Sequence, residues 1–150
     1  MLNLKNLRDK KVGILGLGKT GLSVIRAMGK AGALLTCWDD DEEKRVNLGV
    51  NGVTVKDLKN KSLLRELDLL IVSPGIPHLY PKPHAIVSLA YELNIRVDND
   101  IGLFFSSHIQ DEYETFSTPP KIIAITGSNG KSTATALAGH LFSKVFRDVE

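Results

Sequence analysis

The stretch Lys121-Ile122-Ile123-Ala124-Ile125-Thr126-Gly127-Ser128-Asn129-Gly130-Lys131-Ser132-Thr133 admits few folds. Ile122 to Ile125 form a short, mostly β-branched apolar run, as a strand buried on both faces would be, and Ala134 to Phe146 follow with helical periodicity. A strand, a glycine loop and a helix in that order belong to an α/β architecture. In the loop, Gly127 and Gly130 allow a tight turn that aims backbone N–H groups inward across Ser128 and Asn129. Lys131 adds a mobile positive charge, and Ser132 or Thr133 offers a hydroxyl to Mg²⁺. The expected occupant is a nucleoside triphosphate. The general P-loop pattern has a further glycine where Ile125 stands, and the bland alternative is an ordinary strand-to-helix turn with a capping serine.

A second phosphate-type turn lies near the start. Lys11-Val12-Gly13-Ile14-Leu15 reads as a strand that enters Gly16-Leu17-Gly18-Lys19-Thr20-Gly21, with a helix expected from about Leu22 to Ala31. In G-x-G-x-x-G spacing the first glycine permits the tight turn, the second lets a diphosphate approach the backbone, and the third lets the helix pack close. A strand over 33–38 then ends at Asp39-Asp40-Asp41, where a dinucleotide-binding unit places an acidic residue for a ribose or base; Asp39 is the candidate, and Asp41 reads as a helix cap.

The alternation continues with a strand at 53–55, a helix over about 57–66, and a buried strand at 68–72 that closes on Ser73-Pro74-Gly75-Ile76-Pro77. A rigid proline–glycine loop there sits at the carboxyl edge of the sheet, where open parallel sheets bind ligands. A helix over about 84–93, a strand at 95–97 and a short helix capped by Asp98-Asn99-Asp100 complete the first unit. Residues 106–120, polar and ending in Pro119-Pro120, read as a linker. The expected organisation is therefore a Rossmann-like parallel sheet over 1–105, a linker over 106–120, and the first strand, P-loop and helix of a second α/β unit over 121–150.

Composition removes several other classes. Nineteen basic and 17 acidic residues give a net charge of +2 with no polybasic block, so neither nucleic acid nor a membrane surface is expected as partner. The one cysteine, Cys37, precludes an internal disulfide and reads as a small apolar strand residue. His78, His84, His108 and His140 show no ligand spacing and read as solvated or structural. Met1 to Lys5 lacks the apolar core of a signal peptide, and a cytoplasmic protein is expected.

Gly-Leu-Gly-Lys-Thr-Gly-Leu-Ser at 16–23, Ser-Pro-Gly-Ile at 73–76, Asp-Ile-Gly-Leu-Phe at 100–104 and Ala-Ile-Thr-Gly-Ser-Asn-Gly-Lys-Ser-Thr at 124–133 together resemble the Mur ligase family of peptidoglycan synthesis. Within it they are most similar to the branch that joins D-glutamate to UDP-N-acetylmuramoyl-L-alanine. The resemblance implies that Gly18, Lys19 and Thr20 meet the diphosphate, Asp39 the uracil end, and Ser73, Pro74 and Gly75 the base pocket. It implies that Gly127, Ser128, Asn129, Gly130, Lys131, Ser132 and Thr133 bind ATP, with Lys131 on the β- and γ-phosphates and Ser132 holding Mg²⁺. ATP would phosphorylate the alanyl carboxylate, and the amine of D-glutamate would displace phosphate to form the amide.

The chain departs from the family's pattern at Asp40 and Asp41, where threonine and arginine are frequent, and at Gly102, where glutamate is usual. Family members also continue into further metal-binding and amino-acid-binding regions. The 150 residues alone are thus expected to bind the UDP-substrate without completing ligation, in a cytoplasmic enzyme that is monomeric when whole. The apolar face of Leu137, Leu141 and Val145 is expected to seek cover on the first unit or on another copy. Two competing readings are a nicotinamide-dependent Rossmann dehydrogenase and a non-catalytic nucleotide-binding module.

Overall fold

The computed structural model describes residues 4–106 and 122–146. The predicted linker falls outside them from residue 107 onward, as does His108. The chain divides into two compact units, residues 1–117 and 118–150.

In the first unit, β1 (Lys11–Leu15), β2 (Leu34–Trp38), β3 (Val53–Val55), β4 (Leu69–Val72) and β5 (Arg96–Asp98) form one parallel sheet in the order β3-β2-β1-β4-β5. The helices are α1 (Lys19–Lys30), α2 (Glu42–Val46), α3 (Lys61–Arg65), α4 (Ala85–Glu92) and α5, residues 100–106. Alternate strand residues feed opposite faces of the sheet. Val12, Ile14, Leu35, Cys37, Leu69 and Ile71 pack with Val24, Ile25 and Met28 of α1, whereas Leu15, Leu70 and Val72 pack with Leu64 of α3 and Ile86, Val87 and Ala90 of α4. Every residue of β4 is buried, as expected for a central parallel strand covered on both faces.

The boundaries of α1 and α3 differ from the sequence reading. Helix α1 begins at Lys19 rather than Leu22, because Gly18 takes the extended N-cap conformation and the helix starts directly behind it. Helix α3 shrinks to Lys61–Arg65 because side chains upstream claim the backbone: Asp57 Oδ1 accepts from the Lys59 N–H and Asn60 Oδ1 from the Ser62 and Leu63 N–H groups. Asp41 caps α2 by accepting the Glu43 N–H at 3.0 Å, and His84 caps α4. Asn99, rather than Asp98 or Asp100, receives the Gly102 N–H at the start of α5. A side chain at Gly102 would require the Asp98 carboxylate to move, since its Cβ would lie 1.7 Å from Asp98 Oδ1.

In the second unit the expected strand does not form. Residues 122–127 carry no strand structure, because an extended segment becomes a strand only by pairing, and no described residue pairs with it. The helix that follows, α6 (Lys131–Ser143), starts three residues before the position read from periodicity and buries none of its residues. Leu137, Leu141, Val145 and Phe146 are all exposed.

Candidate functional site

The order of the sheet creates the site. After β1 the chain turns to one side toward β2, and after β4 toward β5 on the other, so the loops leaving β1 and β4 diverge at their carboxyl ends. There, between them and the end of β2, lies a cleft of about 420 Å³. Gly18, Lys19, Thr20, Asp39, Ser73, Pro74 and Gly75, which the sequence reading singled out from three separate stretches, all line it.

The three glycines of the first turn have different surroundings. Gly16 sits at φ +99°, and a Cβ there would meet Ser73 Cβ and Oγ at 2.7 Å, so both conformation and space demand glycine. At Gly21 a Cβ would lie 1.9 Å from the Gly16 carbonyl oxygen, which is the close packing of helix on loop that the spacing predicts. Gly18 has nothing within 4 Å of a notional Cβ and faces the cleft. No side chain caps α1 and no acidic residue occupies its first turn. The N-terminal N–H groups and partial positive charge of the helix are therefore presented to an anion.

Asp39 is mostly engaged within the protein. Its Oδ2 accepts the Leu17 N–H at 2.8 Å and faces Lys44 Nζ at 3.6 Å, while Oδ1 accepts the Asp41 N–H at 2.9 Å. Ser73 is likewise tied down, donating its hydroxyl to the Gly16 carbonyl at 3.0 Å. Both residues thus brace the glycine loop from opposite sides of the cleft.

Two further lining residues have a larger part than the sequence reading gave them: Asp40, ranked there behind Asp39 and named as a departure from the family's pattern, and His84, read as solvated or structural. His84 and Asp40 meet across the rim, with His84 Nε2 2.9 Å from Asp40 Oδ2. Because His84 Nδ1 accepts the Ile86 N–H at 3.2 Å, the proton resides on Nε2, which donates to Asp40. Asp40 Oδ1 receives Lys59 Nζ and Trp38 Nε1, each at 3.1 Å. These donors, His84 foremost, hold the Asp40 carboxyl well below the usual carboxylate range. Arg45 stacks over Trp38 at 4.3 Å and donates to the Asp39 and Asp40 carbonyls at 2.6 and 3.0 Å. Separations of 44 residues, as between Asp40 and His84, leave no local signal in a sequence.

In the second unit, Gly127 and Gly130 both have positive φ, and Gly130, at +77°, is the N-cap of α6. Lys131 folds back so that Nζ donates to the Gly127 and Ser128 carbonyls, which closes the loop over itself. Ser132 and Thr133 occupy the first turn of α6, and no side chain caps it. Lys131 is engaged at short range, Ser132 and Thr133 are exposed, and the helix end is free for an anion, so these residues fit a phosphate ligand and its metal ion. Among the described residues no cluster of His, Cys, Asp or Glu is arranged to hold a metal by itself.

A parallel sheet in this order, with a glycine loop at the point where its connections diverge, defines a Rossmann-like α/β unit. The fold is similar to that of the shikimate dehydrogenase from Aquifex aeolicus, with a TM-score of 0.52 at 16% identity over 67% of this chain and 47% of that one. That likeness concerns the fold alone. Residues 10–96 match the family described as Mur ligase MurD-like, N-terminal domain. The chain is 45% identical over its whole length to the UDP-N-acetylmuramoylalanine--D-glutamate ligase of Ruegeria pomeroyi, and 46% identical over 98% of its length to that of Roseobacter denitrificans. The chain belongs to the MurD-like Mur ligases, and it spans about a third, 32%, of the length of each of these relatives.

Proposed function

We propose that the chain is the N-terminal part of an ATP-dependent ligase that adds D-glutamate to UDP-N-acetylmuramoyl-L-alanine in peptidoglycan synthesis, and that its first unit holds the UDP-substrate. The cleft at the carboxyl edge of β1, β2 and β4 carries this reading. Gly18, Lys19 and Thr20 at the start of α1 would receive the diphosphate, since the helix end there has neither a cap nor an acid. Asp39 would meet the uracil end, and Ser73, Pro74 and Gly75 would form the facing wall. The family assignment is what disfavours a nicotinamide-dependent dehydrogenase, because the fold alone serves both chemistries.

Gly127, Ser128, Asn129, Gly130, Lys131, Ser132 and Thr133 would bind ATP. In ligation, the alanyl carboxylate attacks the γ-phosphorus of ATP, ADP leaves, and the amine of D-glutamate then displaces phosphate from the acyl phosphate. Activation is needed because a carboxylate and an ammonium ion do not condense favourably in water. Lys131 would exchange its loop carbonyls for the β- and γ-phosphate oxygens and stabilise the charge that develops there. Ser132 would hold Mg²⁺, which when bound neutralises phosphate charge. The isolated chain would bind without ligating, and the whole enzyme would act as a monomer in the cytoplasm. No helix among the described residues is long and apolar enough to cross a membrane.

Calorimetric titration of the chain with UDP-N-acetylmuramoyl-L-alanine, with UDP and NADH as competitors, tests the proposal. Saturable binding displaced by UDP and not by NADH is the expected result. Preference for NADH, or no binding at all, would overturn it.

A further inference from the structure

The end of β2 carries three successive carboxylates, two of which, Asp39 and Asp40, line a cleft that, on the functional reading above, admits an anionic diphosphate. An unscreened carboxylate on that wall would repel the ligand. Asp39 is engaged by two backbone N–H groups and Lys44, and Asp41 caps α2 and also faces Lys44 at 3.6 Å. Asp40 differs from both. Its side chain is 53% exposed, it lines the cleft, and its donors come from three places: Trp38 on β2, Lys59 ahead of α3, and His84 at the start of α4.

The remaining charges complete the arrangement. Arg45 bonds the Asp40 carbonyl rather than its carboxylate, and Lys44 is turned toward Asp39 and Asp41. Lys19 lines the same cleft with no carboxylate partner among the described residues. The balance that the ligand meets therefore depends on how far the donors to Asp40 offset its charge.

We infer that His84 and Lys59 screen the Asp40 carboxylate from the cleft, so that a nucleoside diphosphate meets Lys19 and the N-terminus of α1 rather than an uncompensated acid. Asp40, His84 and Lys59 are positioning residues: Lys59 by its charge and His84 by its Nε2–H dipole, they set the potential of the wall without needing to touch the ligand. The inference rests on the functional reading above. The depressed proton affinity of Asp40 agrees with it, since the group stays ionised at any working pH and its screening is permanently required.

The test uses UDP as the probe, by calorimetry at low and high ionic strength. In His84→Asn the shorter amide keeps an acceptor for the α4 N-cap but does not reach Asp40. Lys59→Gln alters an exposed side chain and reads the same effect without touching a cap. Both variants should bind UDP about three- to ten-fold more weakly at low ionic strength, with the difference shrinking in high salt. The double variant Asp40→Asn/His84→Asn should regain the parental affinity to within about two-fold, because the charge that needed screening is gone. Parental affinity in both single variants, or a double variant as weak as His84→Asn, would overturn the inference in favour of a wall held by geometry alone. Failure of the unaltered chain to bind UDP would instead overturn the functional reading, and this inference with it.

Discussion

The Asp39 carboxylate accepts the Leu17 N–H at 2.8 Å across 22 residues of sequence, and this bond pins the glycine loop after β1 to the end of β2. The position at which such folds place a ligand-binding acid is here also a structural brace, with a side chain only 13% exposed. Asp39→Ala should therefore lower stability as well as ligand affinity. The loss of hydrogen bonds to a charged acceptor is worth roughly 1.5–3 kcal/mol, to be measured by urea unfolding. A variant with unchanged stability would show that the brace is dispensable.

Gly21 and Gly18 should separate packing from binding. Gly21→Ala drives a methyl group into the Gly16 carbonyl and should destabilise by about 1–3 kcal/mol or more. Gly18→Ala meets open space and should leave stability within about 1 kcal/mol. It should nevertheless weaken UDP binding by about ten-fold, since the methyl group occupies the path of a diphosphate toward the helix end. Melting temperature and calorimetry on the same two variants decide the matter.

Asp40 should leave a signature in acid. Its folded-state proton affinity is lower than the ordinary value of 3.8, chiefly through the His84 hydrogen bond and then through Lys59 and Trp38. A depressed carboxylate contributes stability that is present above its unfolded value and is lost as pH falls through the folded one. The melting temperature of the parent minus that of Asp40→Asn should be steady above about pH 5 and should shrink below about pH 4. A difference that grows on acidification would contradict the hydrogen-bonding described.

Cys37 is fully buried in β2, and burial pushes its thiol up to about 12. The thiolate is therefore scarce at neutral pH, and the group is shielded as well. Labelling by a thiol reagent at about pH 8 should be slow in the native protein and stoichiometric in denaturant. Rapid native labelling would mean that β2 opens readily.

Lys131→Ala should abolish binding of a fluorescent ATP analogue by the full chain while leaving UDP binding within about two-fold, since the loop and the cleft lie in different units. Retention of the analogue would remove Lys131 from the proposed phosphate contacts.

The local chemistry of the chain was legible from its sequence. Short apolar runs and glycine spacing located β1, β2 and β4. They also identified the need for glycine at Gly16 and Gly21, because backbone conformation and helix packing act over a few residues. The sequence also singled out Asp39, Ser73 and Gly75, since ligand-facing loops follow the carboxyl ends of parallel strands. It overestimated α3, where Asp57 and Asn60 capture backbone N–H groups, and it read Ile122–Ile125 as a strand although a strand requires a partner. Only the tertiary structure brought Ser73 to the Gly16 carbonyl and His84 to Asp40, across 57 and 44 residues. Such pairings follow from the order in which strands assemble, which no local pattern encodes. Sequence thus determined which groups could face a phosphate, while the packing of the sheet decided which of their charges are already answered within the protein.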